Sequence, residues 1–122
     1  MKAMVLARTA DVGTAPLRLR ELPMPEPGPG EVLVRITVCG ICRTDLHVIE
    51  GELANPTLPL IPGHQAVGVV CQIGAGVSER RVGERVGIAW LQHTCGVCEF
   101  CTSGRENLCE RARFTGYQVD GG

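Results

Sequence analysis

Hydrophobic alternation is the strongest regular signal along this chain, and it points to β structure. From Glu31 to Cys39 the residues Val32, Val34, Ile36 and Val38 fall on one side and Arg35 and Thr37 on the other. A period of two is that of a strand with one buried and one wet face. Ala66 to Ile73 is a second strand, stopped by Gly74-Ala75-Gly76. It puts Cys71 beside Val67, Val69 and Ile73, so Cys71 is expected in the core. Val86 to Leu91 reads as a third strand, and Met4 and Leu6 with Leu17 to Leu22 as a first pair. Pro23, Pro25, Pro27 and Pro29, with Gly28 and Gly30 among them, exclude helix and central strand, leaving an extended, rigid connector. The helical signal is short: Thr44 to Glu50 allows one or two turns, with Thr44 as the cap. The stretch from 92 onward is rich in loop residues. The pattern as a whole predicts a mostly β, barrel-like domain over 1–122, ending in an irregular lobe.

Size and charge narrow the function. A chain of 122 residues fits one domain with a modest core. Its net charge of −1, with no basic run, argues against nucleic acid as partner. No apolar stretch approaches the roughly 18 residues a membrane span needs. The apolar run from Ala3 stops at Arg8, too short for a signal peptide. A dinucleotide-binding unit is not expected either. Gly74-x-Gly76 follows a strand, but Glu79 breaks a G-x-G-x-x-G, and no amphipathic helix follows. Seven cysteines without an export signal predict a reducing, cytoplasmic setting and metal ligation.

Cys95, Cys98, Cys101 and Cys109 are spaced C-x2-C-x2-C-x7-C. Each short gap lets a tight turn aim two sulfurs at one point, and the longer loop returns the fourth. Four thiolates so placed predict a closed, structural zinc site in a lobe spanning 92–113. Disulfides need an oxidising compartment, and cysteines this close in a turn pair poorly. The ferredoxin run has a three-residue last gap followed by Pro, whereas Glu110 follows here. Four thiolates around one Zn²⁺ add −2 locally, which Arg105, Arg111 and Arg113 lie close enough in sequence to offset.

Three segments together resemble the zinc-dependent medium-chain alcohol dehydrogenases. They are Cys39-Gly40-Ile41-Cys42-Arg43-Thr44-Asp45-Leu46-His47, then Gly63-His64-Gln65-Ala66-Val67-Gly68 with Gly74 and Gly76, then the four-cysteine lobe. The proline connector into Gly30-Glu31-Val32 and the run Gly83-Glu84-Arg85-Val86 are similar to the same family. The stretch from Gly104 to Tyr117 looks most like a bacterial branch related to cinnamyl alcohol dehydrogenases. The resemblance implies a GroES-like β domain, an oxidoreductase that interconverts alcohols and aldehydes by hydride transfer with NAD or NADP, and a homo-oligomeric intact enzyme. It covers only the first of the family's two domains, so the chain reads as an incomplete GroES-like domain, inactive by itself. A different class remains open, a stand-alone, non-enzymatic zinc-binding GroES-like module.

The resemblance also assigns residues. Cys42 and His64 become ligands of a catalytic zinc, whose third ligand, a cysteine, is expected beyond Gly122. Read alone, Cys42 is equally a small buried hydrophobe and His64 a loop histidine. Asp45 becomes the carboxylate that orients the zinc-bound imidazole; by itself it suits a helix start. Thr44 and His47 become the proton path from substrate, Arg43 a contact to the cofactor pyrophosphate, and Trp90 a wall of the substrate pocket. Their plain alternatives are a cap, a surface histidine, a solvated charge and core packing. Gln65 departs from the family's Glu beside the catalytic zinc. Cys39, despite its C-x-x-C spacing to Cys42, ends a strand and is expected to pack.

Overall fold

The computed structural model describes residues 1–122. Strands β1 (Lys2–Leu6) and β2 (Leu17–Glu21) form an antiparallel hairpin; β3 (Val32–Gly40), β4 (Gln65–Ile73) and β5 (Arg85–Ile88) form a three-stranded antiparallel sheet in that order. Helix α1 (Arg43–Glu50) crosses from β3 toward β4, and β6 (Leu91–His93) pairs with β7 (Arg113–Phe114). Helix α2 is a single turn, Glu99–Thr102, inside the loop that β6 and β7 enclose. The mostly β fold expected from the alternation is what forms. The hairpin and the central sheet make no continuous ladder; the hairpin joins the rest through bonds in both directions between Leu6 and Leu60.

The core is small. Leu6, Leu60, Val48 and Val70 are the largest fully buried side chains, joined by Ile49 and Ala66. Each of the Leu, Val and Ile side chains contributes about 1.5–3 kcal/mol by leaving water. Helix α1 closes one side through Val48 and Ile49.

Four local expectations change. On β4 the buried face carries Ala66, Gly68 and Val70, while Val67, Val69 and Cys71 are only half-buried. Cys71 therefore lies outside the core. At Gly68 a Cβ would stand 2.4 Å from the Arg35 carbonyl oxygen, so only glycine fits where β4 lies against its neighbour β3. On β3 the alternation does not run through. The register slips between Ile36 and Val38, so Thr37 is an extra residue and Val38 turns out to solvent, 56% exposed. A bulge reverses which face each later residue takes. The predicted Val86–Leu91 strand is two strands, because the chain leaves β4 after Ile88 and pairs with β7 from Leu91 on. Finally, α1 is capped by Cys42 and not by Thr44, as the site makes clear.

Candidate metal centres

The β3–β4 register places Gly40 opposite Gln65. Two residues past the end of β3 is Cys42, and one residue before β4 is His64, so antiparallel pairing brings these two to the same end of the sheet. Cys42 has extended backbone and stands at the N-cap of α1, where its sulfur accepts from the Thr44 N–H at 3.3 Å. The sulfur occupies the place a Ser or Asp oxygen usually takes. Asp45, one turn in, accepts from the Cys42 N–H at 2.8 Å through Oδ2 and closes a capping box.

The other oxygen of Asp45 is 3.0 Å from His64 Nδ1, with both side chains 8% exposed. A ring nitrogen that close to a carboxylate is the N–H donor, which leaves Nε2 as the open lone pair. Cys42, Asp45 and His64 bring one sulfur, one carboxylate oxygen and one ring nitrogen within 4.8 Å of one another. Asp45 has committed both oxygens to hydrogen bonds, so the free donors are Cys42 Sγ and His64 Nε2. Sulfur and imidazole are the ligand types zinc prefers.

Around this group the other residues are less concentrated. Thr44 is half-buried and Arg43 exposed on the first turn of α1. His47, on the same helix, pairs through Nδ1 with the carboxylate of Glu52, a partner the sequence reading missed. The αL turn at Gly51 folds Glu52 back onto α1, and its backbone N–H donates to the His47 carbonyl. Gln65 is exposed, and its Oε1 lies 3.0 Å from where a Cβ on Gly40 would stand, along β3. Cys39 Sγ packs on Gly63, 2.9 Å from the position of a Cβ there. Trp90 meets the ring of His64 edge-on at 4.9 Å and stacks on Phe114 at 4.9 Å and Tyr117 at 5.9 Å. Phe114 and Tyr117 were not singled out from sequence, since a two-residue strand and a turn give no periodic signal.

The second cluster lies in the loop between β6 and β7. All four sulfurs of Cys95, Cys98, Cys101 and Cys109 lie within 4.8 Å of one another, and none is in a disulfide. Cys95 and Cys101 sulfurs are 3.8 Å apart and those of Cys98 and Cys101 3.5 Å. Zn–S bonds of about 2.3 Å in a tetrahedron require S···S of roughly 3.8 Å. Backbone N–H groups of Val97 and Cys98 bring the Cys95 thiol down to about 6. At Cys98 the N–H of Cys101 acts the same way, but burial and the neighbouring sulfurs outweigh it and push the thiol up to about 11. The two thiols are thus pushed in opposite directions by crowding four sulfurs at one point, an arrangement a cation would relieve. Arg105 is not directed at the sulfurs: it pairs with Glu99 at 3.4 Å and lies over the Phe100 ring.

The family described as alcohol dehydrogenase GroES-like domain matches residues 28–122. An alcohol dehydrogenase of Geobacillus stearothermophilus is 54% identical over 108 residues, which is 88% of this chain and 32% of that protein. Among solved structures, a cobalt and zinc bound thermostable alcohol dehydrogenase from Pyrobaculum aerophilum aligns over all of this chain and 36% of its own, with 33% identity and a TM-score of 0.89. An NAD-dependent alcohol dehydrogenase aligns over 99% of this chain and 35% of its own, with 34% identity and the same TM-score, 0.89. The chain therefore spans about a third of the length of these relatives. With the fold, the sulfur cluster and the order of motifs in agreement, the chain belongs to the zinc-dependent medium-chain alcohol dehydrogenases, in their GroES-like domain.

Proposed function

We propose that this chain is the metal-bearing β domain of a zinc-dependent alcohol dehydrogenase that moves hydride between a small alcohol or aldehyde and NAD or NADP. The observation that carries this reading is the Cys42–His64 pair, with His64 oriented by a buried Asp45. A module that only needs to fold has no use for a buried imidazole–carboxylate pair beside a sulfur, which weighs against the non-enzymatic alternative. The relatives add support: one is described as cobalt and zinc bound, another as NAD-dependent.

In this reading Cys95, Cys98, Cys101 and Cys109 hold a structural zinc, and Cys42 and His64 supply two ligands of a second. Zinc there supplies a Lewis acid that makes an alcohol proton easier to lose. Asp45 holds Nδ1 of His64, which leaves Nε2 as the atom that would bind the metal. Thr44, on the first turn of α1, places a hydroxyl beside the reacting alcohol and relays its proton. His47, one helical turn on, takes that proton toward solvent, and Glu52 holds its ring for the task. Arg43 faces solvent where a pyrophosphate is to be met, and Trp90 walls the substrate side of His64. Gln65 brings no charge to the metal's surroundings. A cytoplasmic, homo-oligomeric intact enzyme completes the proposal.

The test is metal counting with cobalt as a spectroscopic probe. Thiolate-to-cobalt bands from the four-cysteine site should survive Cys42→Ser and His64→Ala, while a weaker, second set should vanish in both. A cobalt spectrum that is the same in all three proteins sinks the assignment of Cys42 and His64.

A further inference from the structure

The segment that leaves the zinc lobe returns to the loop before His64 and grips it. Thr115 is 3% exposed; its N–H donates to the Trp90 carbonyl at 2.9 Å and its hydroxyl to the Ala89 carbonyl at 2.8 Å. The chain then turns tightly, with the Gly116 N–H on the Val119 carbonyl at 2.8 Å. Beyond the turn, Asp120 Oδ1 accepts from the Ile61 N–H at 2.8 Å. The Gly121 N–H donates back to the Ile61 carbonyl at 2.7 Å, and the Gly122 N–H to the Gly63 carbonyl at 3.3 Å.

Contact at this place is closer than any side chain permits. Gly63 has φ of 110°, the left-handed side of backbone space, and a Cβ on Gly121 would stand 1.8 Å from the Gly63 carbonyl oxygen. Residues 61–63 are not in a strand, so sheet hydrogen bonding does not hold them. Their hydrogen bonds come from residues 120–122, and Cys39 Sγ packs on Gly63 from β3. Asp120 is the one side chain of this clasp that bonds to residues 61–63, while Tyr117 bonds farther back, its hydroxyl donating to the Ala54 carbonyl; Asp120 is exposed, so it adds little to the core.

We propose that Asp120 is a positioning residue for His64. By fixing the Ile61 amide it sets the path of Ile61–Gly63, and so the place from which the imidazole reaches both Asp45 and the metal. The inference rests on the reading of His64 as a ligand, and two readouts separate its failure from the failure of that reading. Asp120→Ala removes the acceptor; Asp120→Asn keeps Oδ1 and drops the charge.

The first readout needs no metal at the site. The His64 Nδ1–H proton, held by Asp45 in a buried place, should give a sharp NMR signal in the native chain and in Asp120→Asn. It should be lost to exchange in Asp120→Ala. The second uses ¹¹³Cd²⁺. The all-sulfur resonance of the lobe should be unchanged in every variant, which shows that the fold is intact. Affinity at the mixed sulfur–nitrogen site should fall about tenfold in Asp120→Ala, the lower range for loss of a group that orients a ligand, and recover in Asp120→Asn. Should Asp120→Ala fail to fold, Asp120→Glu, which moves the oxygen and keeps the charge, makes the same comparison. Equal ring-proton signals in the native and Ala proteins, or an Asn variant as impaired as Ala, overturns the proposal. If the native chain takes up no second cadmium, His64 is not a ligand here, and the ring-proton comparison still decides the role of Asp120.

Discussion

Asp45 carries two obligations at once, one to the helix and one to the histidine. Its Oδ2 satisfies the Cys42 N–H, and its Oδ1 holds His64 Nδ1. Removing it should therefore cost more than a cap alone. Loss of the cap bond is worth about 0.5–2 kcal/mol, and a buried ring N–H left without a partner about 1–3 kcal/mol. Asp45→Ala is expected to lower urea stability by roughly the sum of those ranges and weaken the second metal about 10- to 100-fold. Asp45→Asn, which keeps an acceptor for His64, should retain more of both. Equal losses in the two variants, read by urea titration and zinc competition, would show that charge and not orientation is the contribution. Gln65 follows His64 directly, and its side chain lies along Gly40. Gln65→Glu returns a negative charge to the vicinity of the metal. The expectation is tighter zinc retention in the chain and an altered turnover in a full-length enzyme; no change in either makes position 65 passive.

The lobe between β6 and β7 is the element that depends most on something other than its own packing. Val97 is 73% exposed and Leu108 51%, and of the four cysteines only Cys109 is buried. Its helical turns, Glu99–Thr102 and Glu106–Leu108, are too short to persist unaided. Structural zinc brings an apparent ~10–16 kcal/mol in small peptides, as large as a whole domain's stability of about 5–15 kcal/mol. Chelation should therefore release backbone amides 95–109 to hydrogen exchange while β3 and β4 stay protected. A lobe that keeps its protection after zinc is removed disproves the dependence. Metal capture must also displace the Cys98 proton, held up at about 11, so zinc affinity should rise with pH through the neutral and alkaline range and fall in acid. This element was legible in the sequence because ligand spacing is local. The strands β3 and β4 were legible because alternation is local too. What escaped depended on the partner strand or on distant residues: the bulge at Thr37, the inward face of β4 that leaves Cys71 half-buried, the break after Ile88. Cys42 escaped as a cap because sulfur is a rare cap. Glu52, Phe114 and Tyr117 became part of the site only through turns that bring them back, and single residues in turns have no period to read.

Across the whole molecule, the chemistry is concentrated where the sheet, helix α1 and the lobe meet. His64 lies against Asp45 on one side and Trp90 on the other, and Trp90 stacks on the strand that leaves the lobe. The fold thus brings only two free donors together there, Cys42 and His64, where a catalytic zinc takes three protein ligands. No strand–glycine-turn–helix unit is present among these residues to hold a pyrophosphate. Hydride must cross a few ångströms in a fixed alignment, and such positioning can supply about 7–11 kcal/mol of a barrier. Taken alone, the 122-residue chain is therefore expected to bind neither NADH nor NADPH saturably and to oxidise no member of an alcohol panel, while holding one zinc tightly in the lobe. The measurements are fluorescence titration with both reduced cofactors, a spectrophotometric turnover assay and zinc counting after dialysis. Supplying the remainder of a related dehydrogenase in trans or by fusion should restore both cofactor binding and a second, firmly held zinc. Tight cofactor binding or turnover by the chain alone, or two fully retained zincs in its monomer, would mean that these residues build a complete site by a route other than the one proposed.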